Sequence, residues 1–127
     1  MKKTEIKTEN APKAIGPYSQ AVIAGKTLFA SGQIPIDPAT GNIESDDIAA
    51  QTHRVLKNIE GLLGECKLGF ADVVKTTVFL TDLADFDTVN AIYGQYFPTP
   101  YPARSCVQVA KLPKNAKIEI EITARLR

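Results

Sequence analysis

Tryptophan is absent from this chain, histidine and methionine occur once each, and cysteine occurs twice. His53 stands among Gln51, Thr52 and Arg54 with no second ligand at a fixed spacing, which argues against a zinc site; no metal is expected. Cys66 lies late in a helical pattern and Cys106 in a strand pattern, with no CxxC, so neither a disulfide nor a redox motif is indicated. An excess of charge is missing too. Fifteen basic residues are dispersed among fourteen acidic ones, leaving a net charge of +1, and neither nucleic acid nor an anionic membrane is an obvious partner. No uninterrupted apolar run reaches the ~20 residues of a membrane span, and Met1-Lys2-Lys3-Thr4-Glu5 leads into no signal-type segment. A cytoplasmic location is therefore expected. GxSxG, HExxH, Walker and GxGxxG motifs are all missing, so the familiar nucleophile, metal and nucleotide chemistries have no foothold.

What is present suits one compact core. No linker, repeat or low-complexity stretch divides the 127 residues, and residues 1–127 read as a single domain. Thr4 to Thr8 suggests a short strand, and Ala21 to Ser31 a hairpin broken at Ala24-Gly25-Lys26. Asp37 to Asn42 carries turn chemistry. From Asp46, Ile48, Val55, Leu56, Ile59, Leu62, Leu63 and Cys66 recur at three- and four-residue steps; Ser45 or Asp46 can cap this helix and Gly69 can stop it. Val73 to Leu80 is β-branched and reads as a largely buried strand. Asp82 or Asp85 then caps a second helix striped by Phe86, Val89, Asn90, Tyr93 and Phe97. Pro98, Pro100 and Pro102 end it, and Ala103–Ala110 and Ile118–Leu126 read as strands. The order predicts an α+β domain, a single mixed sheet with two helices on one face. The uncovered face calls for a partner subunit.

Three places break the pattern. Ile118-Glu119-Ile120-Glu121-Ile122 alternates strictly, putting isoleucines on one face and glutamates on the other, either solvated or covered by a neighbour. Arg104 and Cys106 share a face of an otherwise charge-poor strand. The arginine pairs Glu119 or Glu121 across the sheet, or it captures a substrate carboxylate with its planar fork. Asn90 puts an amide on an apolar stripe and needs a partner, with a neighbouring loop backbone favoured over a ligand.

Ala14-Ile15-Gly16-Pro17-Tyr18-Ser19-Gln20-Ala21, Ser31-Gly32-Gln33-Ile34-Pro35, Val74 to Leu80, Val89-Asn90 and Pro102-Ala103-Arg104-Ser105-Cys106-Val107 resemble, in order, the signatures of the Rid family. The likeness is greatest to its RidA subfamily, the reactive enamine/imine intermediate deaminases. This resemblance implies a chorismate-mutase-like fold and a homotrimer, formed through the free sheet face, with sites at the subunit interfaces. It also implies hydrolysis of 2-iminopropanoate and 2-iminobutanoate, 2-imino acids derived from pyridoxal-phosphate enzymes, to 2-oxo acids and ammonia, without a cofactor. Arg104 matches the family's carboxylate-binding arginine and Glu119 the acidic residue near the attacking water. Tyr18, Ser31, Gly32, Asn90 and Cys106 match substrate-binding positions. The alternatives are a non-enzymatic ligand-binding or chaperone-like protein and an endoribonuclease or translation inhibitor.

Overall fold

The structure, a computed structural model, describes residues 2–127. Six strands form a mixed sheet: β1 (Lys3–Ile6), β2 (Ala21–Ala24), β3 (Thr27–Ala30), β6 (Val73–Leu80), β7 (Ala103–Gln108) and β8 (Ile118–Arg125). Their order is β1-β2-β3-β8-β6-β7, and the edge pair β6–β7 is parallel while the other pairs are antiparallel. Two helices, α1 (Ile48–Glu65) and α2 (Phe86–Tyr96), cover one face. The α+β expectation holds, with one addition: the turn at Asp37 joins two short strands, β4 (Ile36–Asp37) and β5 (Asn42–Ile43), as a separate hairpin. Among the described residues no helix is long and apolar enough to cross a membrane.

Helix α1 forms where the three- and four-residue spacing predicts it. Val55, Leu56, Ile59, Leu62 and Leu63 are all buried against the sheet. Each such side chain contributes about 1.5–3 kcal/mol when removed from water, before the entropy of ordering it is subtracted. Its cap is Asp47, whose carboxylate accepts from the Ala50 amide at 2.9 Å, one residue beyond the expected pair. The helix also stops before Gly69. Lys67 takes a left-handed φ of 59°, which lets Leu68 donate back to Leu63 at 2.9 Å. At α2, Asp82 caps a preceding 3-10 turn instead of the helix, and Asp85 gives no side-chain cap.

Ile118, Ile120, Ile122 and Ala124 of β8 are buried beneath the helices, together with Leu28, Val78 and Leu80. Strand β6 is not buried throughout: Val73, Thr76, Val78 and Leu80 are, while Val74 and Lys75 are exposed. Among the described residues no helix covers the second sheet face. Phe29, Val74 and Val107 remain 48%, 51% and 42% exposed there or at its margin, a level of apolar exposure that marks an uncovered surface.

Candidate active site

Arg104 projects from edge strand β7 on the helix side of the sheet. Its partner in β6 is Thr76, which in turn faces buried Ile122 in β8. The guanidinium lies against two rings of α2, with Cζ 4.9 Å from the Tyr93 centroid and 5.6 Å from that of Phe86. Among the described residues no carboxylate forms a salt bridge with it. The expected alternative of pairing with Glu119 or Glu121 across the sheet is thereby removed, because both glutamates register with the opposite face. Asn90, Tyr93, Gly94, Tyr101, Pro102 and Arg104 line one cleft of about 310 Å3. Asn90 lines this cleft, and among the described residues its side chain makes no hydrogen bond to a neighbouring loop, so the favoured expectation is not met. Cys106 lies two residues along on the same face as Arg104. It is not among the residues lining the cleft and packs half-buried against the core, where burial pushes its thiol pKa up against the opposing pull of Arg104.

Glu119 lies on the other side of the sheet, across from Phe79, which pairs with exposed Val107. Its surroundings come from a bulge. Between the pairs Phe29–Thr123 and Gln33–Ile120, β3 and its continuation advance by four residues while β8 advances by three. Ser31 and Gly32 bow out at this point. The Glu119 carboxylate rests on Gly32 so closely that an added Cβ would stand 2.8 Å from Cδ. Burial first, and Glu121 second, raise the Glu119 carboxyl pKa from its ordinary value, the direction that favours a proton acceptor. Tyr18, Ser31, Gly32, Gln33, Lys114 and Glu119 are among the residues lining this second cleft, of about 550 Å3.

Buried amides hold the walls of the second cleft. Gln20 accepts from the Thr8 amide at 2.8 Å and donates to the carbonyls of Thr8, Ala11 and Pro12, fixing the segment that leads to Tyr18. Asn58 donates to Ile34 and Ile36, and Gln51 accepts from the Lys117 amide just before β8. The Ser31 hydroxyl is spent on the Ser19 carbonyl at 2.6 Å, while the Tyr18 hydroxyl accepts from the Ile15 amide at 3.2 Å and keeps its proton to donate.

The seven candidate residues thus fall into two groups, Arg104 with Asn90 and Cys106 on one side, and Glu119 with Tyr18, Ser31 and Gly32 on the other. A single chain does not bring its own Arg104 and Glu119 together. Sequence reasoning placed Tyr93 only on an apolar stripe and missed Tyr101 and Gly94 as cleft residues; the i, i+3 and i+4 relation of Asn90, Tyr93 and Gly94 was the available signal. His53 bonds the Tyr96 hydroxyl at 2.8 Å and serves helix packing. A larger hollow of about 610 Å3 contains none of the candidates; Glu5, Lys7, Glu9, Lys13 and Glu65 give it solvated charges without a convergent group. Among the described residues no cluster of three His, Cys, Asp or Glu could hold a metal.

The family model described as endoribonuclease L-PSP matches residues 8–126. A 2-iminobutanoate/2-iminopropanoate deaminase of Salmonella typhimurium is 52% identical over 127 residues, covering 98% of each chain. Among solved structures, a Rid-family protein of unknown function from Yersinia pestis superposes with a TM-score of 0.96 at 48% identity, over 98% of this chain and all 100% of that one. E. coli TdcF with bound serine gives a TM-score of 0.92 at 46% identity, over 98% and 99% of the two chains. With likeness of this extent in sequence and in fold, the chain belongs to the Rid family, the proteins that the endoribonuclease L-PSP model describes.

Proposed function

We propose that this protein hydrolyses 2-iminopropanoate and 2-iminobutanoate to pyruvate and 2-oxobutanoate, releasing ammonia, as a homotrimer with its sites between subunits. The observation that carries the reading is the free guanidinium of Arg104 at a cleft, held by rings instead of a carboxylate. A relative 52% identical is named for this reaction, and a second relative binds serine, which has a carboxylate next to a nitrogen-bearing carbon as the imino acids do. The division of the candidates between two sheet faces supports an assembled site: a second copy laid on the uncovered face supplies the Glu119 group to the Arg104 cleft of its neighbour. That contact also covers Phe29 and Val107.

In this reading Arg104 takes the substrate carboxylate through two parallel charge-assisted hydrogen bonds and fixes C2. Glu119 of the neighbouring copy orients a water molecule and accepts its proton as the oxygen attacks C2 of the protonated imine. Glu119 returns that proton to the nitrogen of the tetrahedral carbinolamine and takes the hydroxyl proton as the C–N bond breaks, so ammonia leaves and the 2-oxo acid remains. Neither electrons nor a covalent enzyme intermediate are required, which agrees with the neutral state of Cys106. The test couples the protein to a serine dehydratase that releases 2-aminoacrylate. Oxo-acid formation is expected to accelerate with the native protein and to lose at least about a hundredfold in kcat/KM with Arg104→Ala, which removes charge-assisted bonds. No acceleration over the spontaneous rate by the native trimer refutes the reading. RNA cleavage that survives Arg104→Ala would instead favour a nuclease.

A further inference from the structure

We infer that Tyr93, braced by Thr76, is a positioning residue for Arg104: its ring holds the guanidinium by one face and leaves the N–H edge turned to the cleft. The inference rests on the reading of Arg104 as the carboxylate anchor and goes beyond it by assigning what keeps the anchor ready.

Tyr93 is 5% exposed, and its ring stacks on Phe97 with centroids 4.2 Å apart and planes inclined by 26°. Its hydroxyl bonds the Thr76 hydroxyl at 2.8 Å in a buried contact. Thr76 is the residue directly across from Arg104 in the β6–β7 register. The ring is therefore tied, through one hydrogen bond, to the same row of the sheet from which the arginine rises. A guanidinium lying on an aromatic face uses its π surface there, while its five N–H donors point outward in its own plane, parallel to the ring. An ion pair would have consumed those donors. A free arginine on an edge strand would have to lose its rotamer freedom each time a carboxylate bound, and the ring platform removes much of that cost before binding. The hydroxyl pair keeps the platform from turning away.

The test compares the native protein with Tyr93→Leu, Tyr93→Phe, Arg104→Lys and the double variant Tyr93→Leu/Arg104→Lys, using 2-oxobutanoate as the probe. Tyr93→Leu is expected to raise the 2-oxobutanoate Kd about tenfold, as expected when a flexible side chain must be ordered on binding. It should raise KM more than it lowers kcat, and add little in the Arg104→Lys background. Tyr93→Phe keeps the ring but loses the Thr76 brace, so it is expected to raise the Kd by about threefold, less than Tyr93→Leu. A purely structural role would lower thermal stability without moving the Kd of the folded protein. Equal Kd values for native and folded Tyr93→Leu, or fully additive effects in the double variant, overturn the inference. An independent readout needs no variant and no turnover: the Arg104 Nε–H resonance of the native protein should be shifted upfield by the ring. An unshifted resonance overturns the inference even if Tyr93→Leu does not fold. A shifted resonance with no turnover and no 2-oxobutanoate binding would uphold the positioning and discard the deaminase reading.

Discussion

Gly32 lies under the Glu119 carboxylate, where a Cβ would stand 2.8 Å from Glu119 Cδ. The obstruction is the end of a flexible side chain, not backbone, so the fold can accept an alanine by swinging the glutamate aside. Gly32→Ala is expected to cost only about 1 kcal/mol of stability, the low end for an added methyl group, while costing turnover nearly as much as loss of the carboxylate itself. Thermal unfolding and kcat measured on one preparation check this. A stable variant with native kcat would show that the position of Glu119 is immaterial.

Glu119 links pH to stability and activity with opposite signs. Its pKa is raised in the fold, chiefly by burial, so its stabilising contribution is complete below the ordinary glutamate pKa and is lost as pH rises through the raised value. Catalysis needs the carboxylate and so rises through that same value. Glu119→Gln is expected to lower kcat by about 10²- to 10⁴-fold. It should also flatten the stability profile across this window. Paired pH titrations of Tm and kcat provide the check.

Gly94 occupies an exposed position in α2 beside the Arg104 cleft, with nothing within 4 Å of an added Cβ. Glycine within a helix costs about 0.5–1 kcal/mol relative to alanine. Gly94→Ala should thus raise Tm by about 2–4 °C. Because the methyl group enters open space at the cleft wall, KM for 2-iminobutanoate should rise more than KM for the smaller 2-iminopropanoate. Stabilisation without any change in KM would place the substrate away from α2.

Much of the fold was legible because periodicity reports burial: Ile118, Ile120 and Ile122 do face the core, and the β6 boundaries agree with the β-branched run Val73–Leu80. The caps were less legible. Asp46 and Asp47 are chemically equivalent neighbours, and which one reaches the free amide depends on how the chain enters α1. Register, too, had to come from the structure. Alternation puts Arg104 and Glu119 on definite faces of their own strands, but only the pairing of both strands with β6 reveals that those faces are opposite. The motifs identified the candidate residues and gave no sign that one chain divides them. Tyr93 was hidden for a related reason, since a ring that packs the core and a ring that carries a cation share one helical pattern.

Gln20 is the polar residue whose loss should be felt farthest from its own position. It is 6% exposed and serves the amide of Thr8 and the carbonyls of Thr8, Ala11 and Pro12. Gln20→Leu leaves several of these groups without partners and is expected to destabilise the protein by about 3 kcal/mol. Urea denaturation measures the loss. Limited proteolysis should find new cleavage between residues 8 and 18, the stretch that presents Tyr18. Native resistance there would show that the segment is held by Gly61 packing alone, where Asn10 sits directly on α1.

The placement of Arg104 and Glu119 on opposite faces has a consequence for inheritance. In the proposed ring each chain serves two reaction centres, one with its arginine and another with its glutamate. Two alleles, one lacking Arg104 and the other lacking Glu119, each encode a protein without a working centre. In a cell that expresses both, mixed rings contain boundaries where the intact arginine of one product meets the intact glutamate of the other. Two null alleles should then complement each other, with recovered activity proportional to the fraction of such boundaries.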